Sequence, residues 1–185
     1  MFRPCNLQGF KTSVHPDRSQ RWRLSMALPG IYAALTLLGR VDDVQVQPAG
    51  VDLRVGEIHR FLSEGMLAPK RVLPETEPVE ARDGFWFLEP GFYKVVFADA
   101  VYVPPSAVGI CLPRSSLLRM GATLSCAVWD PGYMGRGEAL LIVGNPHGIR
   151  IAVGERIAQM LYIRVEPPPA SLYAGFYQGE RLGTR

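Results

Sequence analysis

A short polar stretch after an apolar segment carries residues suited to binding phosphate. Arg114, Ser115 and Ser116 follow Pro113 directly. Arginine supplies positive charge and a two-pronged set of donors, while serine hydroxyls and helical amides add directed donors. Taken alone, the same residues are better explained as the start of a helix. In that alternative Ser115 or Ser116 is the N-cap and Arg119 is solvated.

A carboxylate and an aromatic ring share the turn Asp-Pro-Gly-Tyr-Met-Gly, in which Asp130 ends an apolar strand and Tyr133 follows. A carboxylate in this position can orient and deprotonate a water molecule. An Asx-turn, which Asp-Pro-Gly favours, explains the aspartate better when the turn is considered by itself. Tyr133 either stacks on a ligand ring or covers the turn.

Two further polar side chains interrupt apolar strands. Asp52 alternates with Val51 and Leu53 and therefore shares a strand face with Arg54. A carboxylate beside phosphates can hold Mg²⁺ through its waters, although a solvated face with a weak ion pair is the simpler explanation. Gln159 lies in an otherwise apolar strand, so its amide needs partners, which are either backbone groups or a ligand phosphate.

The segments around these residues have the pattern of short strands divided by Gly and Pro turns. The pattern predicts one short helix over Pro29–Leu38 and a long surface loop over residues 62–84. Strands are predicted over residues 44–55 (as a hairpin), Phe85–Leu88, Phe92–Phe97, Ala107–Leu112, Ala122–Trp129, Glu138–Val143, Ile149–Val153 and Ile157–Val165. So many short strands predict an all-β fold, an antiparallel sandwich or barrel of jelly-roll type.

Composition and charge restrict the class of protein. The 185 residues are 48% hydrophobic and 20% charged, which suits one folded domain and excludes wholesale disorder. The net charge of +3 arises from residues 1–25, which carry +4, whereas the remainder carries −1. A nucleic-acid partner is therefore not expected. We predict a basic extension (1–25), a barrel domain (26–165) and a C-terminal arm (166–185).

The cysteines and the apolar segments indicate the cellular compartment to expect. Cys5, Cys111 and Cys126 form no CxxC pair, and their odd number argues against a disulfide scaffold. The N-terminus lacks the apolar core of a secretory signal. The longest apolar run, residues 26–38, is too short to span a bilayer, which needs about 20 residues. We expect a cytoplasmic protein with no membrane partner.

Five segments occur in an order that resembles the dUTPase and dCTP deaminase superfamily. They are QPAGVDLRVG, LPRSSLLRMG, VWDPGYMGRGEALLIVGNP, ERIAQM and YAGFYQGE, and they extend from about Leu28 to Leu182. The likeness is strongest to archaeal dUTPases, which share the WD-x-GY-x-GRGEALL and YQGE phrases. The resemblance implies a distorted jelly-roll β-barrel, a homotrimer with active sites at subunit interfaces, and Mg²⁺ bound mainly by the substrate's phosphates.

The resemblance also assigns a role to each residue singled out above. It implies that Asp130 activates the attacking water, that Tyr133 lies under the deoxyribose and that Asp52 holds the metal through water. Phosphate contacts are implied for Arg114, Ser115, Ser116 and Gln159. In the arm, which lacks the Gly-rich tail of many dUTPases, substrate contacts are expected from Phe176, Tyr177 and Gln178, with Arg181 or Arg185 on the phosphates, so that the arm closes as a lid.

Position 140 separates the two activities of the superfamily. The resembling deaminases use a glutamate as proton shuttle ten residues after the aspartate that matches Asp130, and here that residue is Leu140. Glu138 lies two residues earlier and should share the strand face of Leu140, so a slip of one residue in the comparison would not place a glutamate at this position. The sequence therefore favours hydrolysis of dUTP to dUMP and pyrophosphate. The alternatives are a dCTP deaminase that uses Glu138, which could also be bifunctional, and a non-catalytic deoxynucleotide-binding protein.

Overall fold

The computed structural model describes residues 26–183, so the predicted extension of residues 1–25 and Arg185 lie outside the described residues. The helices are α1 (Gly30–Ala34) and α2 (Ser115–Arg119), and a 3₁₀ turn spans Asp43–Gln45. The strands are β1 (Leu37–Leu38), β2 (Val46–Gln47), β3 (Gly50–Phe61), β4 (Thr76–Pro78), β5 (Phe85–Leu88), β6 (Gly91–Phe97), β7 (Ala100–Tyr102), β8 (Ala107–Pro113), β9 (Ala122–Ser125), β10 (Met134–Gly135), β11 (Glu138–Val143), β12 (Ile149–Ala152) and β13 (Arg156–Arg164).

One large antiparallel sheet forms the body of the molecule. Its strand order is β8-β13-β3-β6-β11-β9, and β2 and β4 add to β3. The first and last strands of this order, β8 and β9, also contact each other, so the sheet curls into a nearly closed barrel. Two smaller sheets, β1-β7-β10 and β5-β12, complete the fold. The predicted all-β, jelly-roll-like barrel is confirmed.

Period-two alternation directs one face of each strand into the barrel. In β11 the side chains of Ala139, Leu141 and Val143 are buried, and the residues between them are half-buried. In β3, Leu53 is fully buried. Full burial of a leucine side chain contributes about 1.5–3 kcal/mol, so this inner face supplies much of the stability that holds the strand ends in place.

Helical structure differs from the prediction in two ways. The helix predicted over Pro29–Leu38 ends at Ala34, because Leu37 and Leu38 pair with β7. Its first residue, Gly30, lies against β2, where an added Cβ would clash with the carbonyl oxygen of Gln47. A second short helix, α2, is present besides the one in the predicted fold, and its place agrees with the helix start considered at Ser115 and Ser116. None of the described helices is long and apolar enough to cross a membrane.

Two of the predicted boundaries also shift. The strand predicted to reach Trp129 ends at Ser125, and beyond it only Trp129 forms an isolated bridge, with Gly109. The predicted surface loop of residues 62–84 contains the short strand β4, which pairs with β3. In both places a long-range pairing that the local pattern does not contain decides the boundary.

Candidate active site

Three neighbouring strands bring Asp52, Arg114 and Gln159 to one end of the barrel. Gln159 on β13 lies opposite Asp52 on β3 and opposite Leu112 on β8. Side chains directly opposite each other in an antiparallel sheet share one face. Arg114 follows the last residue of β8 and reaches the same face. We call Asp52, Arg114, Glu155, Arg156 and Gln159 the Arg114 cluster.

Asp52 is the buried centre of the Arg114 cluster, with 1% of its surface exposed. Its Oδ2 lies 3.0 Å from Nε of Arg114 and 3.2 Å from Nη1 of Arg156. Burial raises the pKa of Asp52, and the two guanidinium groups act against that rise. The solvated face considered from sequence is wrong for Asp52. Within residues 26–183, both of these contacts fall on Oδ2, and no hydrogen bond to Oδ1 is present.

Arg114 uses part of its guanidinium to hold the cluster together. Besides the contact with Asp52, Nη1 donates to the carbonyl oxygen of Arg156 at 3.1 Å and lies 3.4 Å from Oε1 of Glu155. Nη2 has no hydrogen-bond partner in the described part of the chain. The edge of the guanidinium group with Nε and Nη1 is therefore held by the protein, and Nη2 is open to an anion.

Ser115 and Ser116 are the first two residues of α2, and both are exposed. The N-cap residue is Arg114, and no side chain caps the helix. The alternative in which Ser115 or Ser116 is the N-cap is therefore wrong. Both serines follow Arg114 directly in the chain and are accessible to solvent.

Asp130 and Tyr133 lie at a second location, a cavity of about 270 Å³. Its wall includes Trp129 and Tyr173, which meet the Tyr133 ring edge-on at centroid distances of 5.2 Å and 5.7 Å. Such aromatic walls favour a planar ligand. The Asp130 side chain is exposed and forms no hydrogen bond with the other described residues, so the structure contains no Asx-turn bond there.

Tyr133 is held by a partner that sequence reasoning missed. Its ring is 7% exposed, and its hydroxyl donates to Oε1 of Glu180 at 2.6 Å. Burial, with Glu180 as the next cause, raises the pKa of Tyr133, so the hydroxyl stays protonated. Burial also raises the pKa of Glu180. Glu180 is the last residue of the YAGFYQGE segment, and that segment was the feature of the sequence that could have pointed to Glu180.

The C-terminal arm lies against this cavity. Tyr177 lines it, whereas Phe176 is 72% exposed and contacts the Tyr177 ring and the guanidinium of Arg71. Gln178 is occupied at both ends of its amide: its Oε1 accepts from the Met134 amide and its Nε2 donates to the Gly132 carbonyl, each at 3.0 Å. In this arrangement Gln178 holds the arm to the turn.

Glu138 lines the same cavity and, as expected, shares a face of β11 with Leu140. Its Oε1 accepts from Arg181 Nη2 at 2.7 Å and from Nε at 3.1 Å. Arg181, one of the two arginines expected on the phosphates, is therefore paired with Glu138 in this structure. The carboxylate that a deaminase would need as a proton shuttle is held by a cation.

The two locations are separate within one chain. No member of the Arg114 cluster lines the cavity of Asp130 and Tyr133. Trp129, next to Asp130, pairs with Gly109 of β8. Arg114 lies five residues beyond Gly109 on an extended strand, which corresponds to about 16 Å. The predicted residues thus form two partial sites rather than one.

Comparison with known proteins relates the chain to one family. The profile of a family described as dCTP deaminase-like matches residues 32–165. A probable deoxyuridine 5'-triphosphate nucleotidohydrolase of Aeropyrum pernix is 52% identical over 152 residues, which cover 80% of this chain and 96% of the relative. The deoxyuridine 5'-triphosphate nucleotidohydrolase of Methanocaldococcus jannaschii is 38% identical over 155 residues, covering 81% and 97%.

Among solved structures, the fold is similar to that of 2'-deoxycytidine 5'-triphosphate deaminase from Agrobacterium tumefaciens. The TM-score is 0.56 at 23% sequence identity, and the match covers 74% of this chain and 47% of the deaminase. At this identity the likeness concerns the barrel alone.

Proposed function

This chain belongs to the dCTP deaminase-like family, and we propose that within it the protein is a dUTP diphosphatase, which hydrolyses dUTP to dUMP and pyrophosphate. The observation that carries the proposal is Asp130, an exposed carboxylate without a hydrogen bond in the described residues, at an aromatic cavity of about 270 Å³. The names of the Aeropyrum pernix and Methanocaldococcus jannaschii relatives agree with this activity.

Asp130 acts as the general base. It accepts a proton from a water molecule as the water oxygen attacks the α-phosphorus, and pyrophosphate leaves with the electron pair of the bond that breaks. General-base assistance of this kind contributes about 10²–10⁴-fold to a rate. Tyr133 supports the deoxyribose with its ring, and Phe176 or Tyr177 stacks on the nucleotide.

The Arg114 cluster binds the triphosphate. The open Nη2 of Arg114 and the exposed hydroxyls of Ser115 and Ser116 donate to phosphate oxygens, as does the amide of Gln159 from the neighbouring strand. Phosphoryl transfer asks the protein mainly for such positioning and charge stabilisation. Asp52 supports this site by fixing the opposite edge of the Arg114 guanidinium.

The donor set fits a Mg²⁺ ion that arrives with the nucleotide. Within the described residues no group of three or more His, Cys, Asp or Glu could form a metal centre. Mg²⁺ typically keeps several waters and uses one or two carboxylates plus substrate phosphates. Asp52 would contact one of those waters through Oδ1. When bound, the metal supplies neutralisation of the charge on the triphosphate.

A homotrimer would complete the site. Asp130 must approach the α-phosphorus that Arg114 and the two serines help to hold, yet about 16 Å of strand separates Arg114 from the pair next to Asp130 in one chain. A second copy that presents its cavity to the Arg114 cluster removes this separation. The split of the residues therefore supports active sites between subunits.

A dCTP deaminase is the second candidate, because Glu138 lines the same cavity as Asp130. The pairing of Glu138 with Arg181 and the leucine at position 140 count against a deaminase.

The test is to incubate the purified protein with dUTP and, separately, with dCTP in the presence of Mg²⁺ and to identify products by chromatography. We expect dUMP and pyrophosphate from dUTP and no change in dCTP. Conversion of dCTP to dUTP or dUMP would favour the deaminase, and tight dUTP binding without turnover would favour a binding protein.

A further inference from the structure

One edge of β3 has a gap in its strand pairing beside the Arg114 cluster. On this edge β2 pairs with Gly50 and Val51, and the pairing with β6 begins at Val55. The opposite edge pairs with β13. Between β2 and β6, the backbone of residues 52–54 therefore needs partners other than a strand, because buried amides and carbonyls are nearly always hydrogen-bonded.

Two buried polar side chains fill this gap. Gln45, which is fully buried, donates from Nε2 to the carbonyl oxygen of Asp52 at 2.9 Å. Asp99, which is 5% exposed, accepts from the backbone amide of Arg54 through Oδ2 at 2.6 Å. The main chain that carries the Asp52 side chain is thus held by these side chains on one edge and by β13 on the other.

Gln45 also holds the 3₁₀ turn that contacts Arg156. Its Oε1 accepts from the Asp42 amide at 3.1 Å, which closes the turn. The carbonyl oxygen of Val44 in this turn accepts from Nη1 of Arg156. The same Nη1 lies 3.2 Å from Oδ2 of Asp52. One side-chain amide therefore fixes both the main chain of Asp52 and the turn that contacts its partner Arg156.

We propose that Gln45 is a positioning residue for phosphate binding and that it acts through Asp52 and Arg156. Nε of Arg114 lies 3.0 Å from Oδ2 of Asp52, so the position of that carboxylate sets the direction of the open Nη2 of Arg114. Since Gln45 is fully buried, it acts without touching the nucleotide. The proposal rests on the proposed function, in which the Arg114 cluster binds the triphosphate.

Titration calorimetry on the full chain tests the role without relying on turnover. The variant is Gln45→Met, which keeps a side chain of similar length and removes both hydrogen bonds. We expect its Kd for a non-hydrolysable dUTP analogue with Mg²⁺ to rise about tenfold, the contribution of one hydrogen bond to a charged group. Its Kd for deoxyuridine should stay within about twofold of wild type, because this ligand has no phosphate and the cavity of Asp130 and Tyr133 includes no member of the Arg114 cluster.

The kinetic constants for dUTP give a second measurement. Gln45→Met should raise KM about tenfold and change kcat by less than about twofold, because contacts made equally in the ground state and the transition state affect binding alone. Arg114→Gln should raise KM as well. Adding Gln45→Met to Arg114→Gln should cause little further rise, since Gln45 acts on the phosphates only through Arg114.

A matched control separates positioning from a general loss of stability. Thr36 is also a buried polar residue, 3% exposed, and its hydroxyl is hydrogen-bonded to the Ala33 carbonyl and the Tyr162 hydroxyl. Thr36→Val removes these bonds outside the Arg114 cluster. It should lower the melting temperature as Gln45→Met does, yet leave the Kd for the analogue within about twofold of wild type. If Thr36→Val weakens analogue binding as much as Gln45→Met, or if Gln45→Met weakens deoxyuridine binding equally, Gln45 is structural and the positioning role is wrong.

The possible failures are distinguishable. If wild type binds the analogue no more tightly than deoxyuridine, the Arg114 cluster does not bind phosphate, and the proposed function and the positioning role fail together. If wild type prefers the analogue and Gln45→Met keeps that preference, only the positioning role fails. If Gln45→Met does not fold, Asp42→Ala decides, because it removes the half-exposed side chain that caps the same turn. Asp42→Ala should also raise the Kd for the analogue and not that for deoxyuridine, and an unchanged Kd for the analogue would overturn the role.

Discussion

Replacing Arg114 with glutamine should destabilise the protein, because it leaves buried Asp52 with one ion pair instead of two. Removing one partner of a fully buried ion pair costs about 3–5 kcal/mol, whereas exposed pairs are worth about 0–1 kcal/mol. The Arg114 side chain is 24% exposed, and Arg156 remains 3.2 Å from Oδ2 of Asp52. We therefore expect an intermediate loss of about 2 kcal/mol in the free energy of unfolding at pH 7.

The loss should shrink as the pH falls. Burial raises the pKa of Asp52 above its ordinary value of 3.8. Of the two guanidinium groups that oppose this rise, Arg114 has the larger effect on the pKa. Without Arg114 this pKa rises further, so folded Asp52 keeps its proton to a higher pH than unfolded Asp52 does. The contribution of Asp52 to stability is then greatest below about pH 4 and decreases as the pH rises. The variant should decrease more than wild type between pH 4 and pH 7.

Urea unfolding followed by tryptophan fluorescence, at one protein concentration and at both pH values, measures the effect. Asp52→Asn and the double variant complete the cycle. We expect the double variant to lose less than the sum of the two single losses, since a neutral residue at position 52 no longer needs Arg114. Equal losses at pH 4 and pH 7, together with additivity within about 0.5 kcal/mol, would refute the reasoning.

Three further predictions concern other parts of the molecule. Asp130→Asn should lower kcat for dUTP about 10²–10⁴-fold while dUTP binding, measured by calorimetry, is retained; a kcat near that of wild type would exclude a general base at this position. Gly30→Ala should cost more than about 3 kcal/mol by denaturant unfolding, because its Cβ would clash with the Gln47 carbonyl, whereas Gly183→Ala, with open space around it, should cost little. Since burial raises the pKa of Glu180, wild type should gain in melting temperature relative to Glu180→Gln as the pH falls from 7 towards 4.5, and a constant difference would contradict this.

The strands that form the barrel could be predicted from sequence, because period-two alternation is a local property. The predicted strand over Glu138–Val143 has the observed bounds, and its alternate side chains point inward as the pattern indicates. The helix over Pro29–Leu38 was predicted too long, because its end depends on a contact between distant parts of the chain. Apolar residues suit a helix or a strand, and the pairing of Leu37 with Val101 across 64 residues decided between them.

For the candidate site, too, local features could be predicted and long-range contacts could not. The sequence by itself determined which residues could do chemistry, since their types and their order along the chain are local and carry the family resemblance. The tertiary structure alone decided that Asp52 is buried between two arginines, one of them 104 residues away, and that Glu180 holds Tyr133 across 47 residues. It also decided that Asp130 and Arg114 lie in different parts of one chain. Burial and long-range contacts depend on how distant strands pair, and no local pattern of residues specifies that pairing.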